Sequence, residues 1–147
     1  MKTNAMRLLD SRGITYETFT YPPDIHSADL VASQLGLPAS HVYKTLVVLR
    51  QRGRPILVMV GGDRELDLRR LAGSVDAKSL CMAPHDEAER LTGLKVGGIS
   101  ALALLGRGFD VLIDRHALEQ ESILVNGGQR GVNVRLRVAD LIAVTGA

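Results

Sequence analysis

The sequence predicts an α/β mixed (α+β) fold: a mixed, strongly curved sheet or partly closed barrel with helices packed outside. Two observations predict it. Short β-branched or apolar runs that read as strands are interleaved with short amphipathic runs that read as helices, without a regular βαβ rhythm. Two of the apolar runs, 43–49 and 55–60, flank a hairpin-like connector and should pair antiparallel. The 147 residues fit one domain, 1–147. A chain of this size buries roughly 70% of its unfolded surface, so it needs no disulfide or metal to fold.

In chain order, Met6, Leu8 and Leu9 mark a first helix stopped by Gly13. Residues 14–21, ITYETFTY, read as a strand, ended by the turn Pro22-Pro23-Asp24. Ser27 can cap a helix carrying Leu30, Val31 and Leu35, which Gly36 ends. Strand 43–49, connector Gln51–Arg54 and strand 55–60 follow. Leu66, Leu68 and Leu71 suit a helix near 66–73, and 78–83 a short strand. Pro84 fits the first turn of a helix to about Leu91. The glycine-punctuated stretch 93–108 fits no element. Residues 109–114 and 121–126 read as strands with a turn or helix at 115–119. Residues 127–131 form a tight loop. VNVRLR, 132–137, reads as an edge strand softened by Arg135 and Arg137, compatible with a monomer or weak homodimer. A last helix covers 138–144.

Charge is nearly balanced at +2, with 18 basic and 16 acidic side chains, so charge alone does not mark a nucleic-acid binder. The arginines cluster at 50–54, 69–70 and 130–137; these read as solvated surface or as a phosphate-facing rim. No tryptophan and only five Phe or Tyr residues argue against a platform for stacking single-stranded bases. A single cysteine, Cys81, no leader-like apolar stretch and no run near the ~20 residues of a membrane span predict a soluble, cytoplasmic protein without membrane contact.

The chemistry-bearing motifs exclude several classes. Lys44-Thr45 supplies the end of a P-loop, but Tyr43 and Pro38 replace its glycines. GGQRG is not a dinucleotide fingerprint, and no GxSxG elbow occurs. The histidines at 26, 41, 85 and 116 lack metal-ligand spacing, so no metal or cofactor is expected. His26 and His41 read as surface or capping groups. Cys81 reads as a small apolar strand residue, because its neighbours supply no base.

Two features stand out. In HVYKTLVVL, Lys44 shares a strand face with Leu46 and Val48, so its amine either snorkels out or is held for a purpose. Glycine loops at 97–100 (GGIS) and 126–131 (NGGQRG) are either turns or bare backbone donors that approach a ligand.

The ordered set HVYKTLVV, ELDLRRLA (65–72), LTGLKVGGIS (91–100), VLID (111–114) and VNGGQRG (125–131) resembles the YbaK family, related to the editing domain of bacterial prolyl-tRNA synthetases. The resemblance covers nearly the whole chain. It implies a free-standing trans-editing aminoacyl-tRNA deacylase acting on Cys-tRNA(Pro). Alternatives are an editor of Ala-tRNA(Pro) or another small mischarged residue, or a non-catalytic module that binds aminoacyl-tRNA or a synthetase. The implied partners are aminoacyl-tRNA and prolyl-tRNA synthetase. The implied catalytic residue is Lys44. Implied substrate contacts are Tyr21, Thr45, Gly97, Gly98, Ile99, Ser100, Asn126, Gly127, Gly128 and Asn133, with the Gly97 and Gly98 amides facing the aminoacyl carbonyl. Three positions depart from the family pattern: Ala101 stands for proline, Asn126 for serine and Asn133 for aspartate. The last two leave the amino-acid preference open.

Overall fold

The structure, a computed structural model, describes residues 2–147. Helix α1 (Asn4–Ser11) starts at Thr3, whose hydroxyl accepts the Met6 N–H at 3.2 Å. Ala5, Met6 and Leu9 fall on one face at helical spacing and are buried. The first strand is shorter than its alternation suggests: β1 is Glu17–Thr20. Ile14 is held by the helix end, its N–H donating to the Leu9 carbonyl at 2.9 Å. Helix α2 (Ala28–Leu35) begins after Ser27 and ends at Gly36 as expected. The Ser27 side chain makes no cap hydrogen bond, however.

Strands β2 (Tyr43–Arg50) and β3 (Ile56–Gly61) pair antiparallel, with Lys44 opposite Val60. Helix α3 (Leu68–Ser74) is capped by Asp67, which accepts the N–H groups of Arg69 and Arg70, both at 3.1 Å. Strand β4 (Leu80–Met82), helix α4 (His85–Thr92) and strand β5 (Asp110–Ile113) follow. The stretch without an expected element contains a 3-10 turn, Leu102–Leu104; a second spans Arg115–Glu119. Strands β6 (Ser122–Asn126) and β7 (Val132–Arg137) form a hairpin, and α5 (Val138–Thr145) closes the chain.

The strands make two sheets, β1-β7-β6 and β4-β2-β3-β5; β3 and β5 alone are parallel. An isolated parallel bridge between Val42 and Leu124 links them, so the curved mixed system approaches a barrel without closing. The expected edge strand is a correction: β7 is the centre of its sheet. Its outward Arg135 is accommodated by a 2.7 Å ion pair with Glu17 and by lying 5.1 Å from the Phe19 ring centre.

Inward residues of both sheets, including Leu57, Met59, Ile123, Val134 and Leu136, form the main core with α1. Each large side chain fully buried there contributes about 1.5–3 kcal/mol. The opposite face of the four-stranded sheet, through Val48, Val58 and Val60, is covered by Leu71 of α3. A smaller cluster joins Tyr21, Val31 and Ala32 to the Val42–Leu124 bridge. No helix among the described residues is long and apolar enough to cross a membrane.

Candidate functional site

A cleft of about 190 Å³ opens beside the seam between the sheets. Local sequence explains how each wall gets there. Lys44 and Thr45 lie near the start of β2, where the strand emerges from its 3-10 lead-in at Ala39–His41. Asn126 and Asn133 face each other across the β6–β7 ladder and project on the same side. Tyr21 leaves β1 with its N–H bonded to the Gly131 carbonyl at 3.0 Å, which brings its phenol over Asn133. That phenol donates to Asn133 Oδ1 at 3.1 Å.

The two glycine loops are joined at the cleft. Asn126 Nδ2 donates to the Gly97 carbonyl at 2.8 Å and to the Gln129 carbonyl at 3.3 Å, while its Oδ1 accepts the Gly128 N–H at 2.7 Å. Arg130 Nε donates to the Val96 carbonyl at 2.7 Å. Gly98 lies so close to the second loop that a Cβ would sit 2.8 Å from Arg130 N and 3.0 Å from the Gln129 carbonyl carbon. Gly97 has φ of 91°, and a Cβ there would press on the His26 ring at 3.1 Å. At these two positions glycine is required by the packing itself.

Of the residues singled out in the sequence, Tyr21, Lys44, Thr45, Gly97, Ile99, Asn126 and Asn133 line this cleft. Gly98, Ser100, Gly127 and Gly128 do not. The Gly98 N–H is taken by the Lys95 carbonyl at 2.8 Å, so of the two amides expected to face a carbonyl only that of Gly97 lacks a partner among the described residues. Ser100 is buried with its hydroxyl unpartnered. Gly128 uses its N–H on Asn126, and Gly127 bonds the Val132 carbonyl at 2.8 Å.

Lys44 is half-buried and forms no ion pair among the described residues. The nearest acid influence is Asp29, in the first turn of α2. Its carboxyl is held below the usual carboxylate range by the Ser27 hydroxyl first, with the Lys44 charge adding to the effect. Burial pushes the Tyr21 phenol upward, so at neutral pH it is a neutral donor.

Sequence reading missed His26, Ser27, Asp29 and Tyr43, which also line the cleft. A lone histidine and aspartate near a Pro-Pro turn carry no local pattern. Only the fold brings His26 against Gly97. His41, by contrast, is exposed outside the cleft, and Cys81 is an exposed thiol on β4 rather than a packed strand residue. Among the described residues no group of three or more His, Cys, Asp or Glu could hold a metal ion.

An unpaired ammonium, a backbone N–H without a partner among the described residues and neutral amides thus line one cleft of about 190 Å³. That combination suits a carbonyl compound bearing negative charge nearby. The chain agrees with the aminoacyl-tRNA editing domain model over residues 22–144 and belongs to that family. It is 30% identical over 146 residues to the proposed Cys-tRNA(Pro)/Cys-tRNA(Cys) deacylase EbsC of Enterococcus faecalis, covering 98% of this chain and 88% of that protein. It is 36% identical over 84 residues to the proline–tRNA ligase of Nitratidesulfovibrio vulgaris, covering 57% of this chain and 14% of the ligase. A solved structure described as a proposed trans-editing enzyme for prolyl tRNA synthetase superposes with a TM-score of 0.81 at 25% identity, covering 100% of this chain and 94% of the other. A crystal structure of a hypothetical protein superposes with a TM-score of 0.90 at 25% identity, covering 99% and 95%.

Proposed function

We propose that this chain is a trans-editing deacylase that cleaves the ester of a mischarged tRNA, with Cys-tRNA(Pro) as its main substrate. The observation that carries the reading is Lys44, unpaired in a small cleft that also holds the free Gly97 N–H. An ester carbonyl placed there receives the Gly97 N–H as its oxygen gains charge, while the Lys44 ammonium holds the ribose or phosphate end. Attack by water, or by the cysteinyl thiol itself, breaks the bond to the ribose oxygen, and the nucleophile's proton passes to that oxygen. An aminoacyl ester is already activated. A barrier lowered by a few kcal/mol therefore suffices, since each ~1.4 kcal/mol is tenfold.

The cleft, about 190 Å³, has room for a small amino acid. It does not by itself separate cysteine from alanine. Deacylation of a panel of tRNAs charged with cysteine, alanine, serine or proline tests the reading. Rapid loss of the cysteinyl ester supports it, loss of the alanyl ester alone would reassign the substrate, and no loss of any ester would leave only a binding module.

A further inference from the structure

An oxygen that gains charge as an ester is attacked is held best by more than one fixed donor. The glycine loop at the cleft offers a single one, the Gly97 N–H, because the Gly98 N–H is spent on the Lys95 carbonyl at 2.8 Å. Asn133 is the candidate for the second. It lines the cleft yet is only 3% exposed. Its Oδ1 is occupied, accepting the Tyr21 hydroxyl at 3.1 Å. Among the described residues, Ser100 Oγ is the one side-chain nitrogen or oxygen that is both fully covered and without a partner. Asn133 Nδ2 donates to no group among those residues, so it keeps an open face, and the concavity that Asn133 lines is the cleft.

The surrounding contacts fix which end of this amide faces the cleft. Asn126 stands opposite Asn133 in the β6–β7 register. Its own orientation is set by the Gly128 N–H, which donates to its Oδ1 at 2.7 Å, and by the Gly97 carbonyl, which accepts from its Nδ2 at 2.8 Å. Burial raises the Tyr21 phenol, and the Asn126 amide and the Gly131 N–H oppose that rise, the sign of donors facing the phenol oxygen. With donors on that side, the phenol hydrogen goes to Asn133 Oδ1, and the two N–H bonds of the Asn133 amide turn the other way. Asn126 also brings the two donors together. Its Nδ2 touches Gly97, and its side chain stands beside that of Asn133, since cross-strand partners hold their Cβ atoms about 4.5–5.5 Å apart.

We propose that Asn133 is a catalytic residue whose Nδ2 N–H joins the Gly97 N–H in holding the ester carbonyl oxygen as that oxygen gains charge. The inference rests on the deacylase reading above. The amide donates a hydrogen bond and transfers no proton, so the bond made and the bond broken are unchanged. Tyr21 becomes a positioning residue, gripping the amide by its far end.

The test is single-turnover cleavage, with protein in excess, of tRNAs charged with cysteine, alanine or serine. The proteins are the parent, Asn133→Ala, Asn133→Asp, Tyr21→Phe and the double variant Tyr21→Phe with Asn133→Ala. A donor to the carbonyl oxygen acts on the group that all these esters share. Asn133→Ala should therefore lower the maximal rate about 100-fold, by one common factor for every ester the parent cleaves. The half-saturating protein concentration should change by less than about threefold. Asn133→Asp keeps the shape and the acceptor for Tyr21 but sets a carboxylate against the forming charge, and should fall at least as far. Tyr21→Phe should cost about tenfold in rate alone and nothing further in the Asn133→Ala background. A maximal rate for Asn133→Ala within about threefold of the parent overturns the proposal. So does a loss confined to one of several cleaved esters, which would make Asn133 a reader of the amino-acid side chain, or weaker binding at an unchanged maximal rate. Should Asn133→Ala melt below the assay temperature, Asn133→Asp decides by the same criteria. A parent that cleaves none of the esters overturns the deacylase reading and this inference together. A parent that cleaves them while Asn133→Ala keeps pace overturns this inference alone.

Discussion

Tyr43 shows how one residue serves both core and cleft. It is buried in the main core and lines the cleft from β2. Burial first, with the charges of Asp114 and Asp63 adding, pushes its phenol up to about 12. The folded state therefore holds this proton more tightly than the unfolded chain does. The resulting stability is fully present below the unfolded value near 10 and disappears as pH rises through about 12. Its magnitude is up to about 3 kcal/mol. Denaturant midpoints measured from pH 8 to pH 12 should fall steeply above pH 10 in the parent and less steeply in Tyr43→Phe. Equal slopes would remove the phenol from the account. At this scale Lys44 was legible in the sequence because a cation in an apolar strand is conspicuous. His26 and Asp29 were not: His26 meets Gly97 of a loop some 70 residues away, and Asp29 meets the charge of Lys44 from the first turn of α2.

The glycine loops are the elements that shape the cleft, and they work as a pair. Asn126 and Arg130 of one hold the carbonyls of Gly97 and Val96 in the other. Gly98 is where the two backbones touch. Gly98→Ala would drive a methyl into the backbone of Gln129 and Arg130, neither of which can rotate away. Overpacking of this kind costs about 1–3 kcal/mol. The variant should melt earlier and lose ester cleavage more than its stability loss explains, because the Gly97 N–H is displaced; parental melting and activity would show that the loops are not coupled. Of the two amides expected to be bare donors, that of Gly98 is spent on the Lys95 carbonyl. Sequence marks a glycine as necessary but does not distinguish an amide offered to a ligand from a Cα pressed against another backbone. The same limit explains β7. Alternation with outward arginines reads as an edge, whereas a central strand carries such residues when a neighbour pairs them, as Glu17 does for Arg135.

Across the whole molecule, two sheets meet at the Val42–Leu124 bridge, and the cleft opens beside it. Leu124 is buried under α2 in the small cluster with Tyr21 and Val31. Leu124→Ala should destabilise the protein by about 2–5 kcal/mol in chemical denaturation. It should also weaken ester cleavage by letting Tyr21 and the start of β2 shift, whereas a loss below 1 kcal/mol would mean the seam collapses without penalty. The strand and helix order was legible because apolar periodicity and Gly/Pro punctuation are local signals. Which strands join which sheet was not, because the bridge depends on residues 82 positions apart.

The most direct test of the central claim is single-turnover deacylation of Cys-tRNA(Pro) by the parent and by Lys44→Ala. Lys44 makes no ion pair among the described residues, so the variant should keep its melting temperature within a few degrees. Its cleavage rate should fall about 100-fold or more, equivalent to roughly 2.7 kcal/mol of lost transition-state stabilisation. A folded variant that clears the ester at the parental rate would contradict the account.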